Sequence, residues 1–113
     1  IKKNKNITLI IDAIKEKKGN DINLIDLSNI MNSPADFFII CSTSSKIQIN
    51  AIANNIIDVI HKQVGTKLWR QEGQASSWRL LDYGDIVIHI LKQDLRAYYQ
   101  LDQLWEDGKQ KIK

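Results

Sequence analysis

SSWRLLDYGDIVIHIL, residues 76–91, divides into two runs of bulky, β-prone residues around Tyr83-Gly84. With a two-residue turn at Tyr83-Gly84, Asp82 pairs with Asp85, Leu81 with Ile86, Leu80 with Val87 and Trp78 with His89. Alternation sends Leu81, Ile86, Ile88 and Ile90 to one face, toward helices. The other face carries Trp78, Leu80, Asp82, Asp85, Val87 and His89. This register sets two carboxylates against each other, an arrangement that destabilises a strand pair. It also gathers aromatic, aliphatic and acidic groups on one surface.

Upstream of the hairpin, KLWRQE (67–72) reads as a strand and GQAS as a polar loop. Ile49, Ile52, Ala53, Ile56 and Ile60 form an apolar helical stripe that Ser44 or Ser45 caps and Gly65 ends. INLIDL (22–27) and FFIICST (37–43) are short bulky runs, separated by a turn at NSPAD (32–36). Ile7, Ile10, Ile11 and Ile14 keep the i, i+3, i+4, i+7 spacing of a first helix, which stops near Gly19. Downstream, a last helix starts near Asp94 and carries Leu95, Tyr98, Tyr99, Leu101, Leu104 and Trp105.

The order α-β-β-α-β-β-β-α predicts an α/β (α+β) fold with a mixed sheet of about five strands backed by helices. That order resembles the nucleotidyltransferase-like arrangement, and a fold does not by itself establish an activity. A length of 113 residues fits a single domain over 1–113, with its core at about 6–107 and short basic ends. The net charge of +3 is uneven: between Gly19 and Gly108 there are seven cations and eleven anions. That mildly acidic body suits a basic partner, while the lysine-rich ends read as solvated termini.

One cysteine, Cys41, excludes an internal disulfide framework, suits a reducing compartment and reads as a buried small hydrophobe. No apolar run reaches the roughly 20 residues of a membrane span, and no signal-peptide pattern opens the chain. The expected location is the cytoplasm, or an organelle if a transit peptide has been removed. Cys41, His61 and His89 lack zinc-ligand spacing, and His61 falls at the boundary of an isoleucine-rich helix. There is no GxSxG elbow, no glycine-rich phosphate loop and no Asp-x-Asp pair. No catalytic residue, metal or cofactor is therefore expected. Two readings of the mixed hairpin face stand: a contact surface with an acidic rim, or a buried Trp78 beside ordinary turn aspartates. The serines of STSSK (42–46) are explained by capping, with anion binding as the alternative.

The segments KKGNDINLIDL, SPADFFIICSTSS, QINAIANNI, WRLLDYGDIVIHIL and RAYYQLDQLW carry a resemblance to the ribosomal silencing factor family, RsfS, also called Iojap. It extends from Ile7 to about Asp107, and its most specific part is Trp78-x-Leu80-x-Asp82-Tyr83-Gly84-Asp85, then His89, Arg96, Tyr99, Leu104 and Trp105. Cys41-Ser42-Thr43-Ser44, where the family often has glycine, and Ser45, near its acidic or polar position, are departures.

The resemblance implies a translational repressor with a nucleotidyltransferase-like fold and no enzymatic role. Such a factor binds a basic protein on the intersubunit face of the large ribosomal subunit, the fourteenth in the standard naming, and blocks joining of the small subunit. A minor contact with ribosomal RNA and a homodimer in the free state fit the same picture; a membrane partner does not. By this resemblance the partner-binding residues are Trp78, Asp82, Tyr83 and Asp85, with His89 at the edge. Asp36 and Phe37 of the ADFF motif extend the patch. Arg96 would pair with a hairpin aspartate and Tyr99 pack beneath it. Alternatives are an organelle-type ribosome assembly factor, a divergent nucleotidyltransferase and an RNA-binding module using the lysine ends.

Overall fold

A computed structural model describes residues 2–74, 76–99 and 109–112, with side chains over 5–74 and 76–98. The isoleucine spacing becomes helix α1 (Lys2–Glu16), in which Ile7, Ile10, Ile11 and Ile14 are all buried. Helix α2 (Lys46–Val64) buries Ile49, Ile52, Ala53, Ile56 and Ile60. The hydroxyl of Ser45 accepts from the Gln48 N–H at 3.2 Å and caps this helix. Gly65 ends it in the left-handed conformation, at φ 81°, with its N–H on the carbonyls of Ile60 and His61. His61 is exposed near that end.

Six strands form one mixed sheet: β1 (Asn20–Asp26), β2 (Phe37–Thr43), β3 (Arg70–Glu72), β4 (Trp78–Asp82), β5 (Ile86–Lys92) and β6 (Lys109–Ile112). Their spatial order is β3-β4-β5-β2-β1-β6, and helix α3 (Gln93–Tyr99) follows β5. β2 and β5 run parallel at the centre, while the other neighbours are antiparallel. The α-β-β-α-β-β-β-α order is observed, and the C-terminal lysine stretch adds a sixth strand against β1 to the five expected. Leu101, Leu104 and Trp105 of the expected last helix, and the side chain of Tyr99, lie outside the described residues.

The sheet has two unlike faces. Helices α1 and α2 cover the first, closing a core with Ile39, Cys41, Leu81, Ile86, Ile88 and Ile90. On the second, Ile25, Leu27, Phe38, Ile40, Val87 and Leu91 form a smaller cluster. Ile30 of the β1–β2 connection and Leu95 of α3 cover part of it. Cys41 belongs to the first core and is fully buried, and that burial pushes its thiol up to about 12.

The hairpin register differs from the one expected. Val87 stands opposite Asp82, Ile88 opposite Leu81, His89 opposite Leu80 and Leu91 opposite Trp78. Residues 83–85 make the connection, closed by Tyr83 N–H on the Ile86 carbonyl at 2.9 Å. Two forces set this register. The Asp82 carboxylate accepts from the Gly84 N–H at 2.8 Å, a short turn that Gly84 accommodates at φ 92°. The Asp85 carbonyl accepts from Asp36 and Phe37 N–H at 2.9 and 3.1 Å, drawing Asp85 toward β2 and out of the hairpin ladder. The two aspartates are therefore not cross-strand partners. A slip of two residues preserves face parity, so the predicted facing of Leu81, Ile86, Ile88 and Ile90 toward the helices holds.

Candidate partner-binding face

The described residues cover the second sheet face only in part, and its open part is a groove of about 260 Å³. Phe38, Leu80, Val87 and His89 line it from the strands, Pro34 from the β1–β2 connection, and Trp69, Arg70 and Asp82 from the β3 side. Strand alternation puts Phe38 on this face and Phe37 on the opposite one. Trp78 and Leu80 are half-buried along the same face.

Trp78 and His89 are joined. The indole Nε1–H donates to His89 Nδ1 at 3.2 Å, with ring centroids 6.0 Å apart. Phe38 meets the imidazole edge-on at 5.0 Å. Since Nδ1 accepts, the proton of the neutral ring sits on Nε2, which is buried and has no acceptor among the described residues. Burial lowers the His89 pKa from 6.5 to about 4. The ring is neutral at physiological pH.

The acids divide by role. The Asp82 side chain is 7% exposed and accepts from Arg70 Nε at 3.0 Å as well as from Gly84. Arg70 also donates to Glu72 at 2.8 Å and lies 5.6 Å over the ring of Trp69. Asp85 is half-buried at the turn, and its carboxylate has no partner among the described residues. Asp36, also half-buried, is tied to Asp85 through the backbone.

Of the residues expected in the site, Trp78, Asp82 and His89 share the open face, and Asp36 and Asp85 are joined by a backbone hydrogen bond where β2 and β5 begin. Tyr83 and Phe37 pack instead against the helix-covered core. Burial raises the Tyr83 pKa to about 12, and its hydroxyl has no partner among the described residues. Arg96, expected on a hairpin aspartate, donates to the Asp21 carbonyl at 2.5 Å and to Ser42 Oγ at 3.3 Å, at the far end of the sheet. Phe38, Trp69, Arg70 and Pro34 were not among the expected site residues. Phe38 was signalled by alternation from Phe37, whereas Arg70 needed the β3–β4 register that sets it opposite Asp82.

Among the described residues no group of three or more His, Cys, Asp or Glu is placed to hold a metal ion, and no helix is long and apolar enough to cross a membrane. Fold and face together define a class: a small α+β protein with α1 and α2 on one side of a mixed sheet and a groove on the other. Solved structures share this shape. A protein from Chromobacterium violaceum superposes with a TM-score of 0.83 at 30% identity, over 91% of this chain and 85% of that one. A protein from Bacillus halodurans gives a TM-score of 0.78 at 36% identity, over 90% and 94%.

The family model described as "Ribosomal silencing factor during starvation" matches residues 1–113, and the chain belongs to that family. The ribosomal silencing factor RsfS of Halalkalibacterium halodurans is 37% identical over 103 residues, covering 90% of this chain and 86% of the relative. That of Bacillus subtilis is 38% identical over 97 residues, covering 85% and 80%. The chloroplastic protein Iojap of Zea mays is 34% identical over 93 residues, which are 82% of this chain and 40% of the maize protein.

Proposed function

We propose that this chain represses translation by docking on the large ribosomal subunit and occupying space that the small subunit needs. Residues 1–113 act as one domain, by bulk and without catalysis. The observation that carries this reading, beside the family, is the sheet face that the described residues cover only in part, with Asp85, whose carboxylate has no partner among the described residues, in the turn that leads into β5. An apolar groove with an acidic margin suits a basic protein, here the fourteenth large-subunit protein on the intersubunit surface. Trp78, Leu80 and Phe38 form the apolar floor and Asp85 supplies the free charge. Asp82 acts by holding Arg70 at the rim, while Tyr83 and Phe37 support the turn from behind. His89 backs the groove as a neutral ring held by Trp78.

Sedimentation of the purified protein with isolated subunits tests the reading. The protein should pellet with large subunits and not with small ones, and light scattering should show less subunit joining as it is added. Asp85→Asn should weaken large-subunit binding by roughly 1 kcal/mol or more, as expected for a desolvated charge pair. Equal binding to both subunits, or undiminished joining at saturation, overturns it.

A further inference from the structure

Strand β3 carries one rim of the groove and has little of its own to hold it. Its three residues, Arg70, Gln71 and Glu72, include no apolar side chain, and β4 is its only neighbour among the described strands. Leu68 packs against the helix-covered core just before the strand begins. Register sets Arg70 opposite Asp82 and Glu72 opposite Leu80, on the groove side, and Gln71 opposite Leu81, on the helix side. Trp69, 72% exposed, is the one strongly exposed large apolar side chain among the described residues that line the groove.

Arg79 of β4 meets Gln71 on the helix side. Its guanidinium donates to Gln71 Oε1 at 2.6 Å and to Oδ1 of Asn50, in α2, at 3.2 Å. The residue is only 5% exposed, and its Nε is buried without an acceptor among the described residues. The two neutral amides are its only polar partners there. Burial lowers its pKa from 12.5, although an arginine keeps its charge. A buried cation without a carboxylate is a poor source of stability, and an apolar side chain of similar volume commonly does as well or better. What the apolar side chain lacks is a planar fork that reaches two acceptors at once. Here the acceptors belong to a long helix and to the shortest of the described strands. Arg79 therefore ties β3 to the body of the protein.

On the docking reading above, we infer that Arg79 is a positioning residue for the partner: acting through Gln71 from behind the sheet, it sets the rim so that Trp69 serves as an aromatic anchor. The indole of Trp69 is open to contact while its neighbour is held. Arg70 donates to Asp82 at 3.0 Å and to Glu72 at 2.8 Å, with its guanidinium 5.6 Å over the Trp69 ring. An indole presented in this way takes an apolar or aromatic side chain of the partner, while Asp85 answers the partner's positive charge.

Sedimentation with large subunits and amide hydrogen exchange, both on the full chain, test this. Arg79→Met should melt at or above the parental temperature, while its β3 amides exchange at least about tenfold faster and those of β5 are unchanged. Trp69→Ala should weaken large-subunit affinity about thirtyfold, as loss of an interface anchor does. Arg79→Met should weaken it about tenfold in the parent and less than about twofold once Trp69→Ala is in place, because the two act through one contact. A residue that only stabilised the fold would cost the same in both backgrounds. Gln71→Ala opens the same link from the sheet edge and should reproduce the loss, which decides the matter if Arg79→Met fails to fold. Parental β3 exchange in both variants, or equal affinity losses with and without Trp69, overturns the inference. Weaker pelleting of Asp85→Asn beside parental pelleting of Trp69→Ala overturns it alone. Parental pelleting of all these variants overturns the docking reading and the anchor with it.

Discussion

His89 sits in the groove as a neutral ring whose Nδ1 is committed to Trp78 and whose pKa burial holds at about 4. In the unfolded chain an imidazole titrates near 6.5. Between those values the unfolded state takes up a proton that the folded state refuses, so this residue makes stability fall as pH falls from about 6.5 toward 4. The full loss is about 3 kcal/mol, at 1.36 kcal/mol per pKa unit. Above pH 6.5 the contribution is flat. His89→Gln removes it, so denaturant midpoints measured from pH 7 to 4.5 should decline less for the variant than for the parent. Parallel declines would mean that the native ring accepts a proton freely. Trp78→Ala tests the neighbouring ring. A half-buried indole should cost about 2 kcal/mol of folding, short of the roughly 3–5 kcal/mol of a fully buried one. The remainder should appear as lost subunit affinity.

The β4–β5 hairpin shows how two similar acids take different work from their element. Asp82 is buried and answers both Gly84 N–H and Arg70, so Asp82→Ala should destabilise by about 1–3 kcal/mol, the cost of stranding a buried donor. Asp85 joins the sheet through its carbonyl, which Asp85→Asn preserves, so that change should stay within about 0.5 kcal/mol. Urea midpoints of the two variants check the contrast; equal losses would place Asp85 in the same internal network. The elements themselves were legible because isoleucines at helical spacing and β-branched runs leave few alternatives, and Ser45 and Gly65 bound α2 as their chemistry requires. The turn was not legible. A two-residue Tyr83-Gly84 loop and the observed connection over 83–85 give the same facing of Leu81 and Ile88, and only pairing with β2 separates them. Strand β6 escaped notice because KQKI is polar, as an edge strand that avoids self-association often is. Facing also explains the site: Trp78 and His89 follow from alternation, whereas Tyr83 and Phe37 turn inward because the core behind the turn needs filling.

At the scale of the whole molecule, Asp36, Asp82 and Asp85 stand at one end of the central strands with Arg70 beside Asp82, and Lys46, Lys92 and Arg96 at the other. Nucleotidyl transfer needs carboxylates and phosphate-binding cations at one point, with a metal between them. In sheets of this kind ligands gather outside the carboxyl ends of the parallel strands. Here that end carries Lys46, Lys92 and Arg96, while Asp36, Asp82 and Asp85 lie at the other end of β2 and β5. A seven-residue strand at about 3.3 Å per residue separates the two groups by roughly 20 Å. No nucleotide phosphate can be met by both sets at hydrogen-bonding distance, and Asp82 is already engaged by Arg70. Calorimetry with a nucleoside triphosphate should therefore give no saturable one-to-one complex. Any weak binding to the lysine end should disappear with salt and gain nothing from Mg²⁺, and labelled nucleotide should not be transferred to an acceptor. A stoichiometric complex that requires Mg²⁺ would show that the acids and the lysines act together after all, and repression by bulk alone would then have to give way to an enzyme.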